Sequence, residues 1–480
     1  MNSAIASIRL IGGWLPFVVD LAAIVLTLLA VTGLLVPARS RLAGSSGSSR
    51  APRLRRSRRF RGILVIAGTV VGAALGLFLC WLLSDQLNLF DVSLTPISRT
   101  WVTGAFAVVG VAVSAFIGMR GAGREPHVDV SRRLVRSVAV AAAVTALLAG
   151  TLGVNADFGQ YTTIGSLSDA SIAPPVPATV LAQQQAAAPG YASPASSTTT
   201  ARPLWKDAVA IGMPSHGLVG TVTIPSTVSQ FPARGAYVYL PPAALVPHPV
   251  ALPVLIMLSG QPGSPSNVIS SGQIATIFDD FAAAHNGLAP IVVAPDQLGA
   301  PSRNPMCVDG SLGASASYLT VDVPNWIRSH FTVQTSPGAW AIGGFSQGGT
   351  CSIQLGAAHP ELFSAIVDIS GQIAPKNGGK TQTVSLGFGG DIAAYRAALP
   401  TTVLARNAPY RKMVAVFGVG QLDSRYGPVA AQMTAAAASA GIHATEAISP
   451  GTGHDWHTVQ WVLRNSLGTV YHQLGLEAAS

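Results

Sequence analysis

The residues best placed to do chemistry lie in the run GAWAIGGFSQGGTCSIQLGAAHPELF, around Ser346. Gly344-Phe345-Ser346-Gln347-Gly348 has the form G-x-S-x-G, the signature of a serine held on a strained strand-to-helix turn. In a chain with 50 glycines the pentapeptide alone is weak evidence. Its context is stronger, because an apolar strand-like run leads in and a small-residue helical run leads out. The chemistry implied is nucleophilic attack by the Ser346 hydroxyl on a carbonyl, giving an acyl-enzyme.

A serine hydroxyl needs a general base, and the base needs an orienting acid. On this kind of turn the partners follow in the chain order Ser, Asp/Glu, His. His454 sits in PGTGHDWHTVQWVL, a glycine-rich loop opening an amphipathic helix, and is the expected base. His359 reads as the end of the preceding helix, His443 as the start of a short strand, and His457 as already helical. Asp423, in the loop after the strand KMVAVF, is the expected acid, and Asp391 in FGGD is the alternative acid. Asp455 adjoins the histidine too closely to orient it, and Asp368 falls inside a strand. The developing oxyanion needs two preorganised donors. These are assigned to the backbone N–H groups of Gln347, after the nucleophile, and Gln261, in LIMLSGQPGSPSN. HDWH offers two imidazoles but no third ligand, so neither a metal nor a cofactor is implied.

These groups require a scaffold. Strands are expected at 217–224, 236–240, 252–258, 290–294, 339–343, 364–369 and 412–417, with helices at 268–285, 317–330, 347–358 and 424–440. Strand–helix alternation after an opening meander predicts an α/β domain over 205–480, a mostly parallel sheet with helices on both faces. Before it, residues 156–204 are rich in Pro, Ala, Ser and Gln and read as a tether outside the membrane.

Residues 1–155 read as a four-helix transmembrane module. Apolar runs at 14–36, 62–84, 101–119 and 137–154 have the length needed to cross a bilayer. Only 10% of the chain is charged, and its net charge of +9 is uneven. Residues 1–160 hold 16 arginines against 6 acids, whereas the remainder is close to neutral. The arginines cluster in the 37–61 and 120–136 loops, beside apolar runs, which argues for topogenic charge and against nucleic-acid binding. The positive-inside rule then places both termini outside the cytoplasm. Asp20 is the one acid within a span and reads as an interfacial residue. Cys80 lies in a span. Cys307 and Cys351 lie in the exported part, where they form either a disulfide or two buried thiols.

LIMLSGQPG, YLTVDVPNWI, GFSQGGTCSIQLGAAHPELF, FGGD, FGVGQLD and PGTGHDWHTVQW together resemble the branch of the α/β-hydrolases that holds esterase-D-type enzymes and secreted actinobacterial mycolyltransferases. With four spans ahead of it, the chain resembles actinobacterial multi-pass membrane esterases. The resemblance implies an α/β-hydrolase fold, triad roles for Ser346, Asp423 and His454, and a Cys307–Cys351 disulfide. The mycolyltransferases use a glutamate as the acid, and none stands near Asp423. The expected activity is hydrolysis of carboxylic esters, with acyl-ester or lipid substrates of the cell envelope and the bilayer as partners. Alternatives are acyl transfer onto envelope sugars or lipids, and a non-catalytic sensor.

Overall fold

The computed structural model describes residues 3–35, 51–89, 91–119, 126–168, 172–187, 200–206 and 212–478. They fall into two units, Met1–Ile164 and Gly165–Ser480.

The first unit is built on helices α1 (Trp14–Leu35), α2 (Ala51–Cys80), α3 (Pro96–Gly118) and α4 (Pro126–Phe158). Each contributes to one of the four stretches among the described residues that are long and apolar enough to cross a membrane. Leu, Ile, Val and Phe side chains remain on their outer faces, the surface expected of helices solvated by lipid. Small residues bring the backbones together. Gly68, Gly72 and Gly76 recur every fourth residue on α2 and face α3. A Cβ on Gly72 would lie 2.2 Å from the Phe106 carbonyl oxygen, and one on Gly110 would lie 1.9 Å from that of Gly68. Asp157, near the end of α4, accepts hydrogen bonds from the Thr95 and Ser98 hydroxyls at the start of α3. Arg39, Arg41, Arg50, Arg120 and Arg124, on which much of the orientation argument rests, lie outside the described residues.

The second unit centres on one sheet of eight strands: β1 (Leu218–Val222), β2 (Ala236–Leu240), β3 (Val254–Leu258), β4 (Ile291–Ala294), β5 (Trp340–Phe345), β6 (Ala365–Ile369), β7 (Val414–Gly420) and β8 (His443–Ser449). Their order is β1-β2-β4-β3-β5-β6-β7-β8. β2 runs antiparallel to both β1 and β4, and every other neighbouring pair is parallel. This is the α/β-hydrolase fold. The central strands are buried along their whole length, as they must be when helices cover both faces. Parallel pairing lines up the carboxyl ends of β3, β5, β6 and β7, so the loops leaving them converge on one rim.

The expected helix over 268–285 is two helices, Pro265–Ser270 and Ile274–Ala284. The break falls at Gly272-Gln273, where Gln273 takes φ +52°, outside the helical region.

The tether expected over 156–204 is a correction. Residues 156–158 complete α4. Residues 172–187 are part of the second unit: the Val176 N–H donates to the Thr221 carbonyl at 3.0 Å, and the Thr221 N–H donates to Pro174 at 2.9 Å. Helix α5 (Ala178–Ala187) follows and carries Gln184, which is fully buried. The Gln184 side-chain oxygen accepts the Thr332 N–H at 3.0 Å. Composition reads such a stretch as unstructured because prolines, alanines and glutamines dominate it and its apolar residues show no period. Backbone groups far along the chain supply the partners instead. Residues 188–199 lie outside the described residues.

Candidate active site

Ser346 stands at the turn between β5 and helix α6 (Gln347–Ala358). Its backbone adopts φ +56°, ψ −116°, a region costing a non-glycine residue roughly 1–3 kcal/mol. The flanking glycines make the turn sterically possible. A Cβ on Gly344 would lie 2.3 Å from the Gly348 carbonyl oxygen, and one on Gly348 would lie 2.5 Å from that of Ser259. The elbow is thus pressed against both its own helix and the loop leaving β3.

The structure brings three expected residues together. His454 Nε2 lies 2.9 Å from Ser346 Oγ, and His454 Nδ1 lies 2.9 Å from Asp423 Oδ2. Asp423 and His454 are both buried. With Nδ1–H donating to the carboxylate, the Nε2 lone pair is free to accept the serine hydroxyl proton. Asp423 follows β7, and its other oxygen accepts the Tyr426 N–H at 3.1 Å. The imidazole is held between rings, with centroids 4.9 Å from Phe345 and 4.5 Å from Tyr426. Asp455 caps the helix Trp456–Asn465 by accepting the Thr458 N–H at 2.8 Å. Its carboxylate therefore shapes the loop carrying His454, whose Nδ1 pairs with Asp423 instead.

The alternative acid is placed elsewhere. Asp391 is exposed and accepts the Ala393 and Ala394 N–H groups at 2.7 and 3.0 Å, as the N-cap of a short helix. His359 ends α6, as expected, and pairs with Glu361. The Gln347 N–H occupies the first position of α6, where no intrahelical acceptor exists. Gly260 abuts Ser346, since a Cβ there would lie 3.5 Å from Ser346 Cβ. This brings the Gly260-Gln261 step to the rim of the site.

Cys307 and Cys351 are joined in a disulfide. It ties the loop after β4 to α6 and closes a span of 44 residues. Chain-entropy reasoning gives about 4 kcal/mol for a loop of that size. Cys307→Ser should lower the unfolding free energy of the full chain by that order in a denaturant titration without reductant. Unchanged stability would show that the cross-link contributes nothing.

Asp368 is a buried carboxyl outside the Ser346–His454–Asp423 group. It is the penultimate residue of β6, under the first turn of α6, and a Cβ on Gly349 would lie 2.5 Å from its Oδ1. Burial pushes its pKa up from 3.8 to about 7, against a smaller opposing effect of the hydrogen bond from the Gly371 N–H. The folded state therefore binds the proton more tightly than the unfolded chain. Stability should fall as pH rises from about 4 to about 7, by at most about 1.4 kcal/mol per pH unit from this group. Asp368→Asn should flatten that slope in thermal unfolding followed from pH 5 to 8. An unchanged slope would mean the carboxyl is ionised throughout.

Sequence reasoning missed Gln297 and Asn304, which bond the side chain of Gln347. Nothing in PDQLG or RNPMC marks that role, because each contact joins segments distant in the chain.

Residues 232–461 match the model of the family described as "Putative esterase". A Corynebacterium glutamicum protein described as uncharacterized is 37% identical over 261 residues, which is 54% of this chain. The match spans 57% of that relative's length. Among solved structures, an S-formylglutathione hydrolase from Agrobacterium tumefaciens is similar over 55% of this chain and 97% of its own, at 21% identity and a TM-score of 0.45. The Mycobacterium tuberculosis protein MPT51 is similar over 54% of this chain and 98% of its own, at 17% identity and a TM-score of 0.38.

Proposed function

We propose, from the match of residues 232–461 to the esterase family, that the chain hydrolyses carboxylic esters through an acyl-enzyme on Ser346. The observation that carries this reading is the unbroken relay from Ser346 Oγ through His454 to Asp423, at 2.9 and 2.9 Å. Ser346 Oγ attacks the ester carbonyl as His454 Nε2 takes its proton. Asp423 holds the imidazole in the required tautomer and stabilises the imidazolium. The N–H groups of Gln347 and Gln261 receive the developing oxyanion. His454 then protonates the departing alcohol, and water repeats the sequence to release the acid. A sugar or lipid hydroxyl in place of water would make the same intermediate an acyl-transfer donor. Purified full chain in detergent should hydrolyse a short p-nitrophenyl ester, and no turnover across a range of acyl chain lengths would sink the reading.

The same proposal sets this chemistry at the outer face of a membrane, on acyl or lipid substrates of the envelope. Its support is the four apolar helices together with the arginine asymmetry of the loops between them. Alkaline phosphatase fused after residue 200 should be active in cells. An inactive fusion, with a cytoplasmic reporter active at the same point, would reverse the orientation.

A further inference from the structure

We infer that Gln297 is a positioning residue for ester cleavage, its side-chain amide tying together the two segments that supply the oxyanion donors. The inference rests on the reading of Ser346, Gln347 and Gln261 given above.

The two donors come from segments that the sheet does not hold in register. β3 and β5 pair in parallel only as far as Leu258 opposite Gly344. Beyond that point one chain turns into the Ser259-Gly260-Gln261 loop and the other into the elbow. The next connection is Gln297, which follows β4 and has no solvent exposure. Its Nε2 donates to the Ser259 carbonyl at 2.6 Å and to Gln347 Oε1 at 3.1 Å. One amide nitrogen, with two hydrogens, therefore spans the residue before Gly260 and the residue after the nucleophile. Gln347 continues the relay. Its Nε2 donates to Asn304 Oδ1 at 3.1 Å and lies 3.2 Å from Cys351 Sγ. Asn304 is itself fixed, since its Nδ2 donates to the Lys376 carbonyl at 2.9 Å.

The direction of the relay admits one orientation of the Gln297 amide, because its oxygen could not face the Ser259 carbonyl. The cost is visible: among the described residues, Gln297 Oε1 is buried with no hydrogen-bond partner. An unpaired buried carbonyl is destabilising, and that cost is set against the two buried acceptors, the Ser259 carbonyl and Gln347 Oε1, that the same amide satisfies. What the glutamine supplies is spacing between two donors that must be preorganised before charge develops.

The test uses full-length protein in detergent. Gln297→Met keeps the length of the side chain and removes both donated hydrogen bonds. Its kcat should fall about 10- to 100-fold, the scale set by a misplaced catalytic group, while KM moves less than about threefold. Affinity for an aryl boronic acid, whose tetrahedral adduct on Ser346 places an oxygen in the same site, should fall with kcat. Gln347→Met keeps the backbone donor but breaks the same tie, and should show the same split. It decides the matter if Gln297→Met fails to accumulate. A variant with a lowered Tm but wild-type kcat and boronate affinity, counted per fluorophosphonate-reactive site, would overturn the inference. Failure of wild-type Ser346 to react with the fluorophosphonate would instead overturn the nucleophile assignment itself.

Discussion

Ser346→Ala should lower kcat/KM for a p-nitrophenyl ester by about 10⁴- to 10⁶-fold, the range seen when the nucleophile of a serine triad is removed. The expectation follows from position. Ser346 Oγ is the atom that His454 Nε2 addresses. Alanine can keep the φ of +56° at the same strain as serine, so Tm should change little. Ser346→Gly should be equally inactive but more stable, by up to about 1 kcal/mol, because glycine adopts positive φ without penalty. Loss of activity with gain of stability in one substitution would separate chemistry from folding. Wild-type turnover by either variant would remove Ser346 from the mechanism.

Asp423→Asn should cost about 10⁴ in kcat, the loss expected when an amide replaces the acid and imposes the wrong imidazole tautomer. In the native site Asp423 Oδ2 accepts from His454 Nδ1. An asparagine there can turn its NH₂ toward Nδ1, which moves the imidazole proton to Nε2 and blocks acceptance from Ser346. The matched control is Asp391→Asn. That exposed carboxylate caps a short helix, and asparagine caps about as well, so activity and stability should both stay near wild type. Equal losses in the two variants would mean that the effect does not come from His454. A large loss in Asp391→Asn alone would move the acid to the other aspartate.

The relation between sequence and structure differs from element to element. Helix 347–358 and strand 236–240 have the expected bounds, because each is enclosed by glycine, proline or a change of hydrophobic period. The contacts of Ser346, His454 and Asp423 were legible because a nucleophile elbow dictates the chain order of its partners, and because few acids and histidines follow it. Residues 172–187 were not legible. Gln184 and Val176 read as polar or isolated positions, and their partners, Thr332 and Thr221, lie far along the chain. The break near Gln273 was hidden because the apolar period runs through it. Gln297 was hidden for a related reason: periodicity reports which face a residue takes, and says nothing about a side-chain amide shared between two loops.

The pairing of residues 174–176 with Thr221 bears on how the catalytic part can be handled in isolation. Among the described residues, β1 ends the sheet and has β2 as its single neighbouring strand. Its outer row of amide and carbonyl groups is what a second molecule would use to extend the sheet. The segment carrying Pro174 and Val176 occupies that row at Thr221. A Cβ on Gly220 would lie 2.5 Å from the Val176 side chain, so the two backbones meet too closely for anything but glycine. A soluble fragment begun at residue 205 would shed this cover and leave the Thr332 N–H without Gln184. It should self-associate, whereas one begun near residue 165 should stay monodisperse in light scattering. The proline-rich stretch is thus a seal against templated aggregation as well as a connection.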